Sequence, residues 1–372
     1  MGSARRTRRL LVLFALAAGM TVPAGGSGQA AFPGPNGRIA FWDFMTGQVY
    51  AVNPDGTGLV QLTDVGAGET AAHPGWSPDG RHIAFDSDQS GEPRLYEMDA
   101  GGGHEHLLMA DRRGYEDFFP RYTPNGRRVV FTRCLPEGAC AIWSVRRDGT
   151  NRRALTPFQE EVFDFGAQVS PDGTRIVFAR FNAGGIISQI YVMGSDGSNP
   201  KALTPPALEG FLPDWSPDGQ MITFASNCCR FRSNVYVMHP DGSGITRLTE
   251  TQFPNNSVTG GYSPRGGRIV FSSDRRYDDL CCVELFVMRA DGSRERLLDI
   301  GLTGVLDPQW GSAPPLASAP SDNTTVSEAR LATGGRGEAS TWLLGRCVGL
   351  PRDAARSLCA GASAAGGRDG SG

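Results

Sequence analysis

The sequence predicts an all-β protein, a six-bladed β-propeller built from four-stranded antiparallel blades. Three observations lead to this prediction: a module that occurs six times, tight-turn signals within each module, and one module that is divided between the two ends of the repeat region. A repeat period of about 46 residues is typical of a propeller blade. Glycine (50 residues) and proline (25 residues) are abundant, as expected for a chain with many turns.

The first marker of each module is a turn of the Pro-Asp-Gly type, and the turn glycines lie 43, 46, 47, 46 and 47 residues apart. Asp-Gly and Asn-Gly between apolar runs are strong hairpin signals, because the turn needs positive φ at its central residues. The six turns are Pro35-Asn36-Gly37, Pro78-Asp79-Gly80, Pro124-Asn125-Gly126, Pro171-Asp172-Gly173, Pro217-Asp218-Gly219 and Pro264-Arg265-Gly266.

Strand patterns follow each turn. An apolar triplet such as Ile83-Ala84-Phe85 comes first, and a strand of the form Ile-Tyr-x-Met, such as Ile190-Tyr191-Val192-Met193, comes next. A second turn, Asp-Gly in five modules, leads to a short last strand. One four-stranded sheet has two apolar faces that only neighbouring sheets can cover, and radial repetition of such sheets leaves only short edges exposed.

The divided module predicts how the ring closes. The first module starts at its turn and lacks the preceding strand, whereas Asp307-Pro308-Gln309-Trp310 matches Leu212-Pro213-Asp214-Trp215 and His73-Pro74-Gly75-Trp76. We therefore expect the C-terminal strand to pair with the N-terminal blade. An open β-solenoid, the alternative fold, would not need this division. The three tryptophans fill one repeat position and are predicted to be core residues.

The segment from His73 to Phe85 resembles the WD-like propeller repeat of TolB-type periplasmic proteins, and the resemblance extends over about residues 33–311. It implies a bare TolB-like propeller, without the α/β domain that full TolB-type proteins carry before the propeller. It also implies that the propeller is a binding platform for partner proteins.

The domain organisation follows from composition. Residues 1–30 combine Arg5, Arg6, Arg8 and Arg9 with an apolar run and small residues, which indicates a signal peptide cleaved after Ala24 or Ala30. The apolar run is too short to span a membrane. We expect an exported protein, periplasmic or extracellular, with the propeller over residues 31–311. Residues 312–372 are of low complexity and are predicted to be largely disordered.

Eight cysteines, an even number, fit an oxidising compartment. Cys134 and Cys140 bracket a short loop that a disulfide could close, and Cys347 and Cys359 lie in the tail. Two adjacent pairs, Cys228-Cys229 and Cys281-Cys282, occupy equivalent loops of the fifth and sixth modules. We expect bridges between those two loops, with vicinal disulfides and free thiols as alternatives.

Charge restricts the possible partners. The formal net charge is −3, which offers no field that would attract nucleic acid. The predicted loops between blades are acidic, so a negative rim at one mouth of the channel would suit a basic segment of a protein or peptide partner. Ordinary solvated loop charge is the alternative. The acidic positions are Glu69, Glu116, Asp117, Glu160, Glu161, Asp164, Glu209, Glu250, Asp299 and Asp307.

Polar residues on the predicted innermost strands form the candidate ligand site near the central channel. Hydrogen bonding between blades is the alternative role for these side chains. The set comprises Arg121, Gln168, Asp214 and Gln309, together with Asp117, Asp164 and Asp307 from the acidic rim.

No constellation for catalysis is found. A Gly-x-Ser-x-Gly elbow is missing, and the five histidines are predicted to scatter over turns and outer strands. The EF-hand-like spacing from Asp86 to Glu97 is attributed to the repeat, because Glu97 falls inside a predicted strand. We therefore expect a monomeric binding scaffold without metal, cofactor or enzymatic activity. The alternative function is a cell-envelope hydrolase or lyase that acts on glycan or peptide at the channel mouth.

Overall fold

The computed structural model describes residues 33–314, apart from 111–113, 137, 183–186, 228–232, 252–254 and 278–281. The predicted signal peptide, almost all of the predicted tail and five cysteines (Cys228, Cys229, Cys281, Cys347 and Cys359) lie outside the described residues. The described part is all-β, as predicted, and its helical content is one 3-10 turn at Pro206–Leu208.

The strands are short and follow the repeat. They are, in chain order, β1 (Asn36–Asp43), β2 (Gln48–Val52), β3 (Val60–Gln61), β4 (Ala71–Trp76), β5 (His82–Ser87), β6 (Arg94–Asp99), β7 (His106–Leu107), β8 (Glu116–Tyr122), β9 (Arg128–Cys134), β10 (Cys140–Arg146), β11 (Arg153–Ala154), β12 (Val162–Val169), β13 (Arg175–Asn182), β14 (Ile187–Gly194), β15 (Lys201–Ala202), β16 (Gly210–Trp215), β17 (Ile222–Ser226), β18 (Asn234–Met238), β19 (Thr246–Arg247), β20 (Ser257–Tyr262), β21 (Arg268–Ser273), β22 (Glu284–Arg289), β23 (Arg296–Leu297) and β24 (Val305–Ser312).

These strands pair into four-stranded antiparallel units, which we number by position along the chain. Units 2, 5 and 6 are the separate sheets β4–β7, β16–β19 and β20–β23. Unit 3 (β8–β11) and unit 4 (β12–β15) join into an eight-stranded sheet through one parallel pair, Cys140 with Phe163. Unit 1 has the order β24-β1-β2-β3, so the C-terminal strand lies beside β1 with Trp310 opposite Ile39.

The apolar core lies between units. Each of six hydrophobic clusters combines side chains from two successive units, and one cluster joins unit 6 to unit 1 through residues such as Val270, Phe41 and Trp310. Each sheet therefore buries its apolar faces against its neighbours, as the repeat predicted. Trp76, Trp215 and Trp310 are all buried, which confirms that they are core residues.

Two of these tryptophans also bond neighbouring units to each other. The indole Nε1 of Trp76 donates to the Gln309 carbonyl of unit 1, and that of Trp215 donates to the Gln168 carbonyl of unit 4, both at 3.2 Å. Trp310 donates within unit 1, to the carbonyl of Gly37 at 3.2 Å. A buried indole N–H thus finds a partner on the backbone.

One predicted disulfide is present, between Cys134 and Cys140. It links the end of β9 to the start of β10, next to the Cys140–Phe163 pair that joins units 3 and 4. Cys282 is half-buried, and bridges between the two vicinal cysteine pairs stay a prediction, because their other members lie outside the described residues.

Truncation of Trp310 tests the importance of the C-terminal strand. We expect Trp310→Ala to lower the free energy of unfolding by about 3–5 kcal/mol, because it opens a cavity in the cluster between units 6 and 1. Urea denaturation measures the loss. Leu59→Ala, at a side chain that is 38% exposed, is the control and should change stability little. An equally small loss for both variants would contradict the role of β24.

Replacement of both cysteines, Cys134→Ser with Cys140→Ser, tests the disulfide. Closing so short a loop is expected to contribute about 2 kcal/mol. Thermal denaturation should therefore show a lower transition for the double variant than for the oxidised wild type. If the oxidised protein were no more stable than the variant, the link would be dispensable.

Candidate functional site

The first strands of the units, β24, β4, β8, β12, β16 and β20, form the candidate site. Each packs against the first strands of the units on either side, and β20 packs against β24. Each also shifts register against the second strand of its unit, which marks a bulge. In four of the bulges one residue has a left-handed backbone conformation, with φ from 50° to 54°. These residues are His73, Phe119, Leu212 and Asp307.

The local sequence explains why the bulges occur at these positions. Each of the four residues is followed by a proline, which has no N–H to donate to the strand ladder and is therefore suited to a bulge. Non-glycine residues rarely adopt this backbone conformation, because the Cβ atom crowds the following carbonyl. Such conformations are concentrated at functional sites, where the surrounding structure maintains them.

Arg121 lies two residues after the bulge of β8 and joins three units. Its Nη1 donates to the carbonyl oxygens of His73 in unit 2 (2.9 Å) and of Pro120 (2.8 Å). Its Nη2 donates to both carboxylate oxygens of Asp307 in unit 1, at 3.1 and 3.4 Å. Both side chains of this ion pair are fully buried. Arg121 therefore ties the C-terminal strand to units 2 and 3.

Asp307 is held by a second donor, because Nε2 of Gln309 lies 2.8 Å from its Oδ1. Burial raises the pKa of Asp307 to about 6, against the opposing charge of Arg121 and these hydrogen bonds. We call Arg121, Asp214, Asp307 and Gln309 the axial cluster.

Asp214 is the least satisfied member of the axial cluster. Its Oδ2 accepts the backbone N–H of Tyr262 at 3.1 Å, and the backbone N–H of Trp215 also lies close enough to lower its pKa, whereas its Oδ1 is buried without a hydrogen-bond partner. Burial raises the pKa of Asp214 well above its ordinary value, and the nearby charge of Arg121 opposes that rise.

Two predicted site residues have partners within their own units. The Asp117 carboxylate accepts from Nε and Nη2 of Arg133 at 2.7 and 2.9 Å. The Asp164 carboxylate accepts from Arg180 in the same manner, at 2.6 and 2.7 Å. Both aspartates are fully buried. These bidentate pairs neutralise two of the expected negative charges.

The paired arginines are also stacked on aromatic rings. The guanidinium carbon of Arg133 lies 4.7 Å from the ring centre of Tyr115 and 5.2 Å from that of Trp143. The guanidinium carbon of Arg180 lies 4.9 Å from the ring centre of Tyr191. Stacking and bidentate bonding together fix both guanidinium groups.

The structure thus brings Arg121, Asp307 and Gln309 into direct contact and places Asp214 near their charges. Gln168 is fully buried on β12, at the same position of its strand as Arg121 on β8. Asp117 and Asp164 lie on the other side of the bulge, each beside its arginine. Contact of these seven residues with a ligand stays a prediction.

The sequence analysis missed an arc of aromatic side chains around the bulges. The distances between ring centres are 5.6 Å (Trp42–His73), 3.9 Å (His73–Phe119), 6.2 Å (Phe119–Phe165), 5.0 Å (Phe165–Phe181) and 6.4 Å (Phe118–Phe119). We call these six residues the aromatic arc. It crosses units 1 to 4, and all its members except the buried Phe119 are half-buried.

The aromatic arc corrects one expectation. The histidines were expected on turns and outer strands, whereas His73 lies on the first strand of unit 2. Its Nδ1 is 2.9 Å from Oδ1 of Asp86, which also accepts the backbone N–H of Phe119 at 3.0 Å. The matched segments His73-Pro74, Phe119-Pro120 and Asp307-Pro308 were the signal that could have located this position.

The predicted acidic rim is only partly a solvent-exposed surface. Glu160, Glu161, Glu250 and Asp299 are exposed loop residues, whereas Asp117, Asp164 and Asp307 are buried and paired. In the part of the chain that the structure describes, no group of three or more His, Cys, Asp or Glu residues is arranged to hold a metal ion. No helix there is long and apolar enough to cross a membrane.

Comparison with known proteins identifies the family. A family model described as the TolB beta propeller domain matches residues 25–204. These matches support a TolB-like propeller family for this chain. The resemblance inferred from the repeat is thereby confirmed.

Individual relatives agree with this assignment. A protein TolB homolog of Chlorobium luteolum is 31% identical over 199 residues, which cover 54% of this chain and 43% of the relative. The Tol-Pal system protein TolB of Anaeromyxobacter dehalogenans is 33% identical over 121 residues, which cover 32% and 26%. This TolB-like chain spans 26 to 53% of the length of three curated relatives that it matches.

A solved structure shares the fold. The crystal structure of TolB from Acinetobacter baumannii matches with a TM-score of 0.61 and 21% sequence identity, over 74% of this chain and 67% of that chain. At 21% identity the match supports the propeller fold alone.

Removal of the Arg121 guanidinium tests the axial cluster. We expect Arg121→Met to lower the free energy of unfolding by about 3–5 kcal/mol, because Asp307 would be left buried without its counter-ion. Urea denaturation at pH 7.5 measures the loss. Arg127→Met, at an exposed arginine of the same unit, is the control and should have little effect. A small loss for both variants would show that the axial ion pair does not stabilise the fold.

Proposed function

We propose that this TolB-like chain is a binding scaffold of the bacterial cell envelope and that it captures a segment of a partner protein at the aromatic arc. The family relationship supports a propeller, and one relative is named as a protein of the Tol-Pal system. The observation that carries the proposal is the aromatic arc itself, a continuous set of six rings, five of them half-buried, on the first and second strands of four units.

We infer that the six units are the blades of one six-bladed ring and that β24 closes it. The pairing of β24 with β1 and the apolar cluster between units 6 and 1 support this arrangement. The bulges of the first strands then surround the axis. The aromatic arc lies at the mouth of the channel, where first strands begin and second strands end.

Half-buried aromatic side chains are suited to recognition of another protein. Aromatic residues carry a large share of binding energy at interfaces, because they bury a large apolar area and lose little conformational entropy. Trp42 adds a specific feature, since its indole Nε1 is buried and has no hydrogen-bond partner. A partner that packs an apolar side chain against these rings would bury area that the isolated chain leaves partly exposed.

Charge around the arc favours a partner segment with basic residues. Asp117 and Asp164 are neutralised by arginines, so the unpaired negative charge lies further out, on exposed loop residues such as Glu160, Glu161 and Asp299. Such charges contribute to the rate and specificity of association more than to affinity. An apolar anchor flanked by lysine or arginine would match this distribution.

Location in the envelope is part of the proposal. The basic and apolar pattern of residues 1–30 supports export, and the disulfide between Cys134 and Cys140 is compatible with an oxidising compartment. The axial cluster serves this function indirectly, because Arg121 bonds to the carbonyl of His73, a member of the arc.

Binding of short labelled peptides tests the proposal. The probe is a peptide with one tryptophan flanked by lysines, and its matched controls replace the tryptophan with alanine or the lysines with glutamates. Fluorescence anisotropy should show the tightest binding for the first peptide, with weaker binding as salt is raised. Phe165→Ala should weaken binding at least tenfold, as expected when an anchor contact worth about 1.4 kcal/mol or more is lost.

Leu107→Ala is the control, because Leu107 is an exposed apolar residue (40%) on the short strand β7, outside the aromatic arc. It should bind the peptide as the wild type does. Equal binding by the wild type and by a correctly folded Phe165→Ala variant would exclude the arc as the binding surface.

A further inference from the structure

Three ionisable side chains of the axial cluster, one basic and two acidic, are buried, and the charges of the Arg121–Asp307 pair both act on Asp214. The side chains of Arg121, Asp214 and Asp307 are all completely inaccessible to solvent. Burial of unbalanced charge is costly, so charges in such surroundings are paired or neutralised by protonation. One guanidinium can balance only one of the two carboxylates.

Among the described ionisable groups near Asp214, Arg121 is the positive charge that acts on it, whereas His73 lies close enough to Asp307 to lower the pKa of that carboxyl. Near the axial cluster, His73 is paired with Asp86, Gln168 and Gln309 are uncharged, and Asp43 of β1 accepts the backbone N–H groups of Met45 and Thr46. On the elements packed against β16, Asp164 and Arg180 pair with each other, and Arg175 lies 4.8 Å from the ring of Trp215. The remaining ionisable groups on these elements are the phenols of Tyr191 and Tyr262.

The two carboxyls differ in their donors. Asp307 accepts from Arg121 and from Gln309, which favours its ionised form. Asp214 is met by the backbone N–H groups of Tyr262 and Trp215 and by no side-chain donor among the described residues, and its Oδ1 has no hydrogen-bond partner. An unsatisfied oxygen costs less on a neutral carboxyl than on a carboxylate, because the charged group loses more hydration on burial.

We propose that the axis of this protein is a binding site for one proton, which is held on Asp214 at neutral pH while Asp307 remains the counter-ion of Arg121. The proton makes the three buried side chains neutral as a set. Its presence does not depend on what binds at the mouth.

The proton has a consequence for stability. The pKa of Asp214 in the folded protein lies above its unfolded value of 3.8. At any pH between these two pKa values, unfolding releases a proton. Stability contributed by the protonated form is complete at low pH and is lost as pH rises toward the folded pKa. One proton corresponds to a tenfold change in the unfolding constant per pH unit.

Asp214→Asn is the decisive variant, because an amide imitates the neutral carboxyl in shape. Unfolding of the full chain is measured by urea denaturation from pH 6.5 to 8. The unfolding constant of the wild type should rise with pH, by up to tenfold more per pH unit than that of the variant. Infrared spectroscopy at pH 7.5 should show a protonated-carboxyl band in the wild type that the variant lacks.

Asp218→Asn is the matched control, because Asp218 is an exposed turn residue of the same unit. Asparagine already occupies the equivalent turn position at Asn36 and Asn125, so this variant should keep both the band and the pH slope. Persistence of the band in Asp214→Asn, or an unchanged pH slope, would overturn the proposal. If Asp214→Asn does not fold, the wild-type spectrum decides, since absence of the band there would also overturn it.

Discussion

The buried guanidinium of Arg121 is the constraint on which the site depends. It bonds to the first strands of three units, including the C-terminal strand that completes unit 1. Apolar clusters hold each unit to its neighbours, but Arg121 connects units that are not adjacent along the chain. A buried ion pair contributes little net stability compared with an apolar substitute, so its value lies in fixing one relative position of these strands.

That fixed position also constrains the residues of the aromatic arc. The carbonyl that accepts from Arg121 belongs to His73, and the same histidine contacts Phe119 and Asp86. His73 is therefore held both by a hydrogen bond from Arg121 to its carbonyl and by the contact of its ring with Phe119. The bulges accept an unfavourable backbone conformation at these positions, which the surrounding bonds maintain.

Much of the fold could be predicted from the sequence, because its signals are local and repeated. The Asp-Gly turns, the strand triplets and the tryptophan position recur, and the division of unit 1 between the two chain ends predicted the pairing of β24. The disulfide between Cys134 and Cys140 could also be predicted from the sequence, since only a short loop separates the two cysteines.

The site was less predictable, because it depends on contacts between residues distant in sequence. The acidic pattern that suggested a rim includes Asp117 and Asp164, yet each meets an arginine sixteen residues away across the strand pair. The arc was missed because its rings come from four units and converge only after bulges turn the strands.

The most direct test of the connection made by Arg121 is a double-mutant cycle of Arg121→Met and Asp307→Asn, measured by urea denaturation. We expect a coupling free energy of about 1.5 kcal/mol or more. Additive effects, with coupling below about 0.5 kcal/mol, would contradict the axial connection.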